Sequence, residues 1–233
     1  MNGALVAGCA AAGVVVGALL DSVVVSVPPP PRRDDPDAVA DPLPPWRFER
    51  VVVAVLTGLA LGLAAARLGA VPELAAYCVF IAGSIALAVV DVRIWLVPRK
   101  ILYPTFALTA VGLLAASAVD DNWTAVVHGA IAGVVALAAF FALWWFLPRA
   151  MGFGDVRMAG MVGAGLGWLG FGVAYLGFLA AFLFGSVLGI VLMVRRRTGR
   201  KTKLPFGTGL AFGAVVGVLW GPWLANLWLH HGT

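Results

Sequence analysis

Long apolar runs follow one another along almost the whole sequence, and they constrain the fold more than any motif does. A helix rises about 1.5 Å per residue, so about 20 apolar residues cross a hydrocarbon core about 30 Å thick. Eight runs are candidate spans: Ala4 to Val27, Val51 to Leu68, Leu74 to Val90, Ile101 to Val119, Ala125 to Leu147, Val156 to Trp168, Phe171 to Val194 and Phe206 to Leu229. The sixth is short and rich in glycine. Hydrophobic residues fill 62% of the 233 positions and charged residues 12%, against about 45–50% and about 25% in soluble domains. A soluble protein of this size cannot hide so much apolar surface, and disorder requires the opposite composition. The expected fold is all-α: a polytopic transmembrane helix bundle of about eight spans, with residues 1–233 forming a single integral-membrane domain.

Basic residues set the orientation, because cytoplasmic loops carry the excess of Lys and Arg. Of the 16 basic residues, all but Arg67 fall in the odd-numbered loops: Arg32 to Arg50, Arg93 to Lys100, Arg149 with Arg157, and Arg195 to Lys203. Both termini are therefore expected outside and the odd loops in the cytoplasm. The same bias argues that the sixth run crosses. If it only dipped into the membrane, the loop from Arg195 to Lys203 would face outward. The run is expected to continue a few residues beyond Trp168, and Gly163 and Gly167 form a small-xxx-small pair that lets a neighbouring helix approach. The basic loop itself reads as an anchor against anionic lipid. Trp220, Trp223 and Trp228 read as an interfacial belt.

The first run does not read as a cleavable signal peptide. It lacks a basic n-region, is too long, and ends in Pro28 to Pro31. The segment at 28–50 is rich in Pro and Asp and reads as an extended cytoplasmic loop. Cys9 and Cys78 lie inside apolar runs with no CxxC pair and no Cys/His cluster, so neither a disulfide scaffold nor a structural zinc site is indicated. The net charge of +5 suits a membrane surface rather than nucleic acid, given where the charges fall.

Most of the 11 acidic residues lie in loops and read as solvated. Asp21, Asp91 and Asp155 lie at span ends or inside spans, where an ionisable group is costly and marks a candidate site. Asp91 closes the third span, facing the negative end of the helix dipole, so capping cannot explain it. An interfacial ion pair with Arg93 or a neighbouring loop is the structural alternative. Asp155 opens the sixth span in Gly152-Phe153-Gly154-Asp155, where an N-cap role is the alternative. Gly152 and Gly154 let the backbone bend sharply or admit another chain closely.

Asp91 and Asp155 both fall at the cytoplasmic boundary. Two carboxylates at one depth can meet if their helices pack together, and such a pair can share one proton. One carboxylate then acts as base on a water while its protonated partner donates to a carbonyl oxygen. That is aspartic-protease chemistry, and it needs neither metal nor cofactor. His128 stands alone near the outer end of the fifth span, and His230 and His231 lie at the C-terminus, so no Ser-His-Asp set competes.

Gly152-Phe153-Gly154-Asp155, with Val156-Arg157-Met158, resembles the GxGD signature of the prepilin peptidases, the type IV leader peptidases. Asp91 through Val97-Pro98 to Pro104 resembles that family's other aspartate motif. Leu204-Pro205-Phe206-Gly207-Thr208-Gly209-Leu210 resembles a third segment, usually Pro-Phe-Gly-Pro, with Thr208 in place of the last Pro. Gly17 to Pro28 loosely resembles the family's opening stretch, with Asp21 where Asn is usual. A helix-end charge pairing with Arg32 or Arg33 is the other account of Asp21.

The resemblance implies an eight-span cytoplasmic-membrane aspartic endopeptidase. Its catalytic residues would be Asp91 and Asp155, and its site-shaping or substrate-binding residues Gly152, Gly154, Pro98, Pro205 and Gly207. The implied substrate is a prepilin or pseudopilin precursor with a short basic leader, cut just before an apolar helix. Bifunctional family members carry paired cysteines in a larger first cytoplasmic loop and also methylate the new N-terminus. The loop at 28–50 has no cysteine and is short, so methyl transfer is not carried over. A proton- or cation-coupled transporter using the same two aspartates is the alternative from another class, and a noncatalytic assembly factor is a third.

Overall fold

The computed structural model describes residues 3–25, 49–94, 96–146, 151–196 and 206–230, with side chains described for all of these except 21–25, 49, 192–196 and 225–230. The Pro/Asp-rich segment up to residue 48, the loop at 197–205 with Pro205, Arg149 and the side chain of Asp21 lie outside the described residues. The described chain is entirely helical: α1 Gly3–Val25, α2 Glu49–Leu68, α3 Leu74–Ile94, α4 Arg99–Val119, α5 Trp123–Phe146, α6 Phe153–Leu169, α7 Phe171–Arg196 and α8 Phe206–His230. Seven of these are long and apolar enough to cross a bilayer. The exception is α6, with 17 residues and a length of about 26 Å.

Short as it is, α6 runs from one end of the bundle to the other. At one end the Trp168 indole N–H donates to Ser117 Oγ at 2.9 Å, His128 lies 4.6 Å from Phe171 between ring centroids, and Arg67 sits 5.6 Å over the Trp220 ring. These contacts gather the ends of α2, α4 and α6 and the second half of α8 with the starts of α5 and α7. At the other end Val97, Gly154, Gly207 and Asp91 meet. Alternate connections therefore share an end, as the distribution of Lys and Arg requires. Two expectations are corrected. α6 does not continue a few residues beyond Trp168. It stops at Leu169 because Gly170 adopts φ 131°, a conformation that suits glycine. Its extra turn lies at the start instead, from Phe153. α3 likewise continues past Val90 to Ile94, so Asp91, expected to close the helix, opens its last turn.

Small residues bring the helices together. A methyl on Gly163 would lie 2.7 Å from both Ala132 O and Ala136 Cβ, so α5 and α6 meet at van der Waals distance along the predicted small-xxx-small face. The centre is filled by Tyr77, Phe80, Leu87, Met158, Leu166 and Leu210, all fully buried. The Tyr77 hydroxyl donates to Gly165 O at 2.9 Å, which ties α3 to α6 and satisfies a polar tip in an apolar interior. α8 packs against both α3 and α6. The two cysteine thiols are free, and Cys9 on α1 faces Cys78 on α3.

Candidate active site

Three helix ends converge where α3 stops and α6 and α8 start. Asp91, in the last turn of α3, is 3% exposed, and Asp155, in the first turn of α6, is 5% exposed. Burying two carboxylates in an apolar bundle is costly unless donors replace water. The first turn of α8 supplies those donors. Helix starts leave backbone N–H groups without intrahelical acceptors, and α8 directs two consecutive ones at the acids. The Thr208 N–H donates to Asp91 Oδ2 at 2.8 Å, and the Thr208 hydroxyl donates to the same oxygen at 3.0 Å. The Gly207 N–H faces the Asp155 carboxylate.

This arrangement explains why an acid stands at the unfavourable C-terminal end of α3. Asp91 faces the negative end of its own helix but the positive end of α8. Asp155 benefits from α6 as well. It is the third residue of that helix, and its Oδ2 accepts the Gly152 N–H at 3.1 Å. Gly152, with φ −79° and ψ 148°, is the N-cap. The N-cap expectation for Asp155 is thus corrected: its carboxylate reaches back to the cap residue's N–H, as an acid at the third helical position does.

Gly207 separates the two acids. A methyl there would stand 3.0 Å from Asp91 Cγ and Oδ2 and 3.1 Å from Val97 Cγ2, while its own N–H faces Asp155. The carboxylates therefore flank one glycine, each within the other's field. Val97, on the link between α3 and α4, packs into the same junction. A methyl on Gly154 would lie 2.9 Å from Val97 Cβ, so close approach accounts for glycine at 154. Phe206 wedges the start of α8 against α5 and α7, with ring centroids 5.8 Å from Phe140 and 5.1 Å from Phe182.

Of the residues singled out in the sequence, Asp91, Asp155, Gly152, Gly154 and Gly207 come together here. Pro98 stands one step back. It is the N-cap of α4, and its carbonyl accepts the N–H groups of Ile101 at 3.2 Å and Leu102 at 3.0 Å, which fixes the end of the link carrying Val97. The bonds found for Asp91 come from Thr208. Two residues of the site had no role in the sequence reading. Val97 entered only as the apolar member of the Val97-Pro98 dipeptide in its motif. Thr208 appeared only as a departure from Pro, although the change restores an N–H and adds a hydroxyl, both of them donors.

A model described as the Type IV leader peptidase family matches residues 78–194, a stretch holding both aspartates. The chain is 28% identical over 184 residues to a prepilin leader peptidase/N-methyltransferase of Pseudomonas aeruginosa, covering 76% of this chain and 60% of the relative. It is 30% identical over 176 residues to the protein of that name in Stutzerimonas stutzeri, covering 73% and 58%. With the Bacillus subtilis protein of that name it shares 27% over 179 residues, covering 75% and 67%. The chain thus spans about three-fifths of the length of the first two relatives. No solved structure matches it.

Proposed function

The chain belongs to the type IV leader peptidase family, and from that premise we propose that it is a membrane aspartic endopeptidase that removes the short basic leader of prepilin-like precursors. The observation that carries the reading is the burial of Asp91 and Asp155 on either side of Gly207, where the first turn of α8 bonds Asp91 and faces Asp155. Like charges so placed resist ionising together, so the resting pair holds one proton. The ionised carboxylate takes a proton from a water, which attacks the scissile carbonyl carbon. The protonated carboxyl donates to the carbonyl oxygen, and the tetrahedral intermediate collapses as a proton passes to the leaving amine. No metal or cofactor enters.

The basic residues at the dyad end support a site at the cytoplasmic face of the inner membrane, with both termini outside. There the leader stays in the cytoplasm and the mature apolar helix stays in the bilayer. The substrates are pilins or pseudopilins of type IV pilus or protein-secretion systems. We assign cleavage to this chain; its segment at 28–50 lacks the paired cysteines of bifunctional members. Transport through the same acids requires polar groups spread across the bilayer, whereas among the described residues both buried carboxylates lie at one end of the bundle. Co-expression with prepilin-like precursors tests the reading. The wild type should convert precursor to a faster-migrating mature form, and Asp91→Asn or Asp155→Asn should leave only precursor while inserting normally. Proteoliposome ion flux dependent on both aspartates, without cleavage, would contradict it.

A further inference from the structure

The dyad chemistry gives Thr208 no task, yet Thr208 makes two of the bonds at its centre. Its N–H and its hydroxyl both end on Asp91 Oδ2, at 2.8 and 3.0 Å. We propose that Thr208 is a positioning residue that pins Asp91 through Oδ2 and leaves Oδ1 as the oxygen that handles the water. The inference rests on the peptidase reading for its consequence, though not for its geometry.

A carboxylate oxygen accepts along two in-plane lone-pair directions. Two donors on Oδ2 fill both, so the remaining acceptor capacity of Asp91 lies on Oδ1. One donor alone leaves a carboxylate free to swing about its terminal torsion. Two donors from one residue, one fixed by the helix backbone and one by a β-branched side chain with few rotamers, hold it in a single plane. Asp155 is held differently: its bond comes from the backbone N–H of Gly152, which no side-chain substitution there removes. The hydroxyl of Thr208 is therefore a side-chain lever acting on one acid of the pair. With Asp91 only 3% exposed, bulk water does not replace a missing donor.

Thr208→Val keeps the β-branched shape and the N–H and deletes the hydroxyl, whereas Thr208→Ser keeps the hydroxyl. Wild type and both variants, reconstituted in nanodiscs, are compared by two readouts. In infrared difference spectra across a pH titration, the Asp91 carboxyl bands are assigned by their loss in Asp91→Asn. In Thr208→Val those bands should shift and their midpoint move to higher pH, since a donor favours the ionised form; Thr208→Ser should match wild type. In leader cleavage, Thr208→Val should lose about tenfold in kcat, the size of one charge-assisted hydrogen bond, with KM within about twofold and the acid limb displaced upward. Thr208→Ser should restore all three. Unchanged bands and an unchanged acid limb in Thr208→Val overturn the proposal. If the wild type cleaves no prepilin-like precursor, the peptidase reading fails, and the infrared titration still decides the role of Thr208.

Discussion

Gly207→Ala adds one methyl group where the two carboxylates meet. The new Cβ would lie 3.0 Å from Asp91 Cγ and Oδ2 and 3.1 Å from Val97 Cγ2, against a comfortable carbon–carbon separation of about 3.5–4.0 Å. Asp91, Val97 or the first turn of α8 must move by roughly 0.5–1 Å to relieve this. A catalytic pair tolerates only about 0.5 Å, and a misplacement near 1 Å costs on the order of 100-fold. Leader cleavage by Gly207→Ala should therefore fall 10- to 100-fold in kcat, on that order-of-magnitude scale. Stability should change less. Overpacking costs about 1–3 kcal/mol, while alanine in a helix regains up to about 1 kcal/mol over glycine. The assay is single-turnover cleavage of a purified prepilin-like precursor in nanodiscs, with thermal unfolding measured on the same samples. Gly8→Ala is the control, since a methyl there meets nothing within 4 Å. Wild-type kcat in Gly207→Ala would show that this approach to Asp91 does not matter for the reaction.

Three further outcomes follow from the same geometry. A pair sharing one proton loses its base when both carboxyls are protonated and its acid when both are ionised, so kcat/KM should trace a bell against pH; a single sigmoid would mean one titrating group. Gly154→Val should lose at least about tenfold in cleavage, because its side chain enters the space of Val97 Cβ, 2.9 Å from the first added carbon, and membrane accumulation should hold; undiminished turnover would remove Val97 from the site. Mild oxidation with copper phenanthroline should join Cys9 to Cys78, which face each other where α1 packs on α3, read as loss of labelling by a maleimide polymer; both thiols remaining reactive would contradict that packing.

The bundle was legible because hydropathy over 20 residues and the side on which Lys and Arg lie are local properties of the chain. They also kept α6 as an element of the bundle, although it is not among the seven helices long and apolar enough to cross a bilayer. Its ends were harder: so many glycines run through 152–170 that sequence alone does not single out Gly170, with φ 131°, as the stop. The two acids stood out because charge at membrane depth is expensive. Their partners did not, because the bonds to Asp91 come from the start of α8, remote in the chain, and the backbone N–H groups of Gly152 and Thr208 carry no residue-type signal. The unfavourable dipole at Asp91 was a true clue, pointing to an opposing helix start that only the packing of α3 on α8 identifies. Thr208 was visible as a departure from Pro, but its meaning depends on where Asp91 Oδ2 lies.

The joint action of the two acids is tested most directly by comparing Asp91→Asn, Asp155→Asn and the double variant in one cleavage assay. Groups that work as a unit are strongly non-additive. Each single variant should fall to the same residual rate as the double, with all three proteins equally folded. A single variant that retains substantial cleavage, or a double far slower than either single, would mean that Asp91 and Asp155 do not act on one water together.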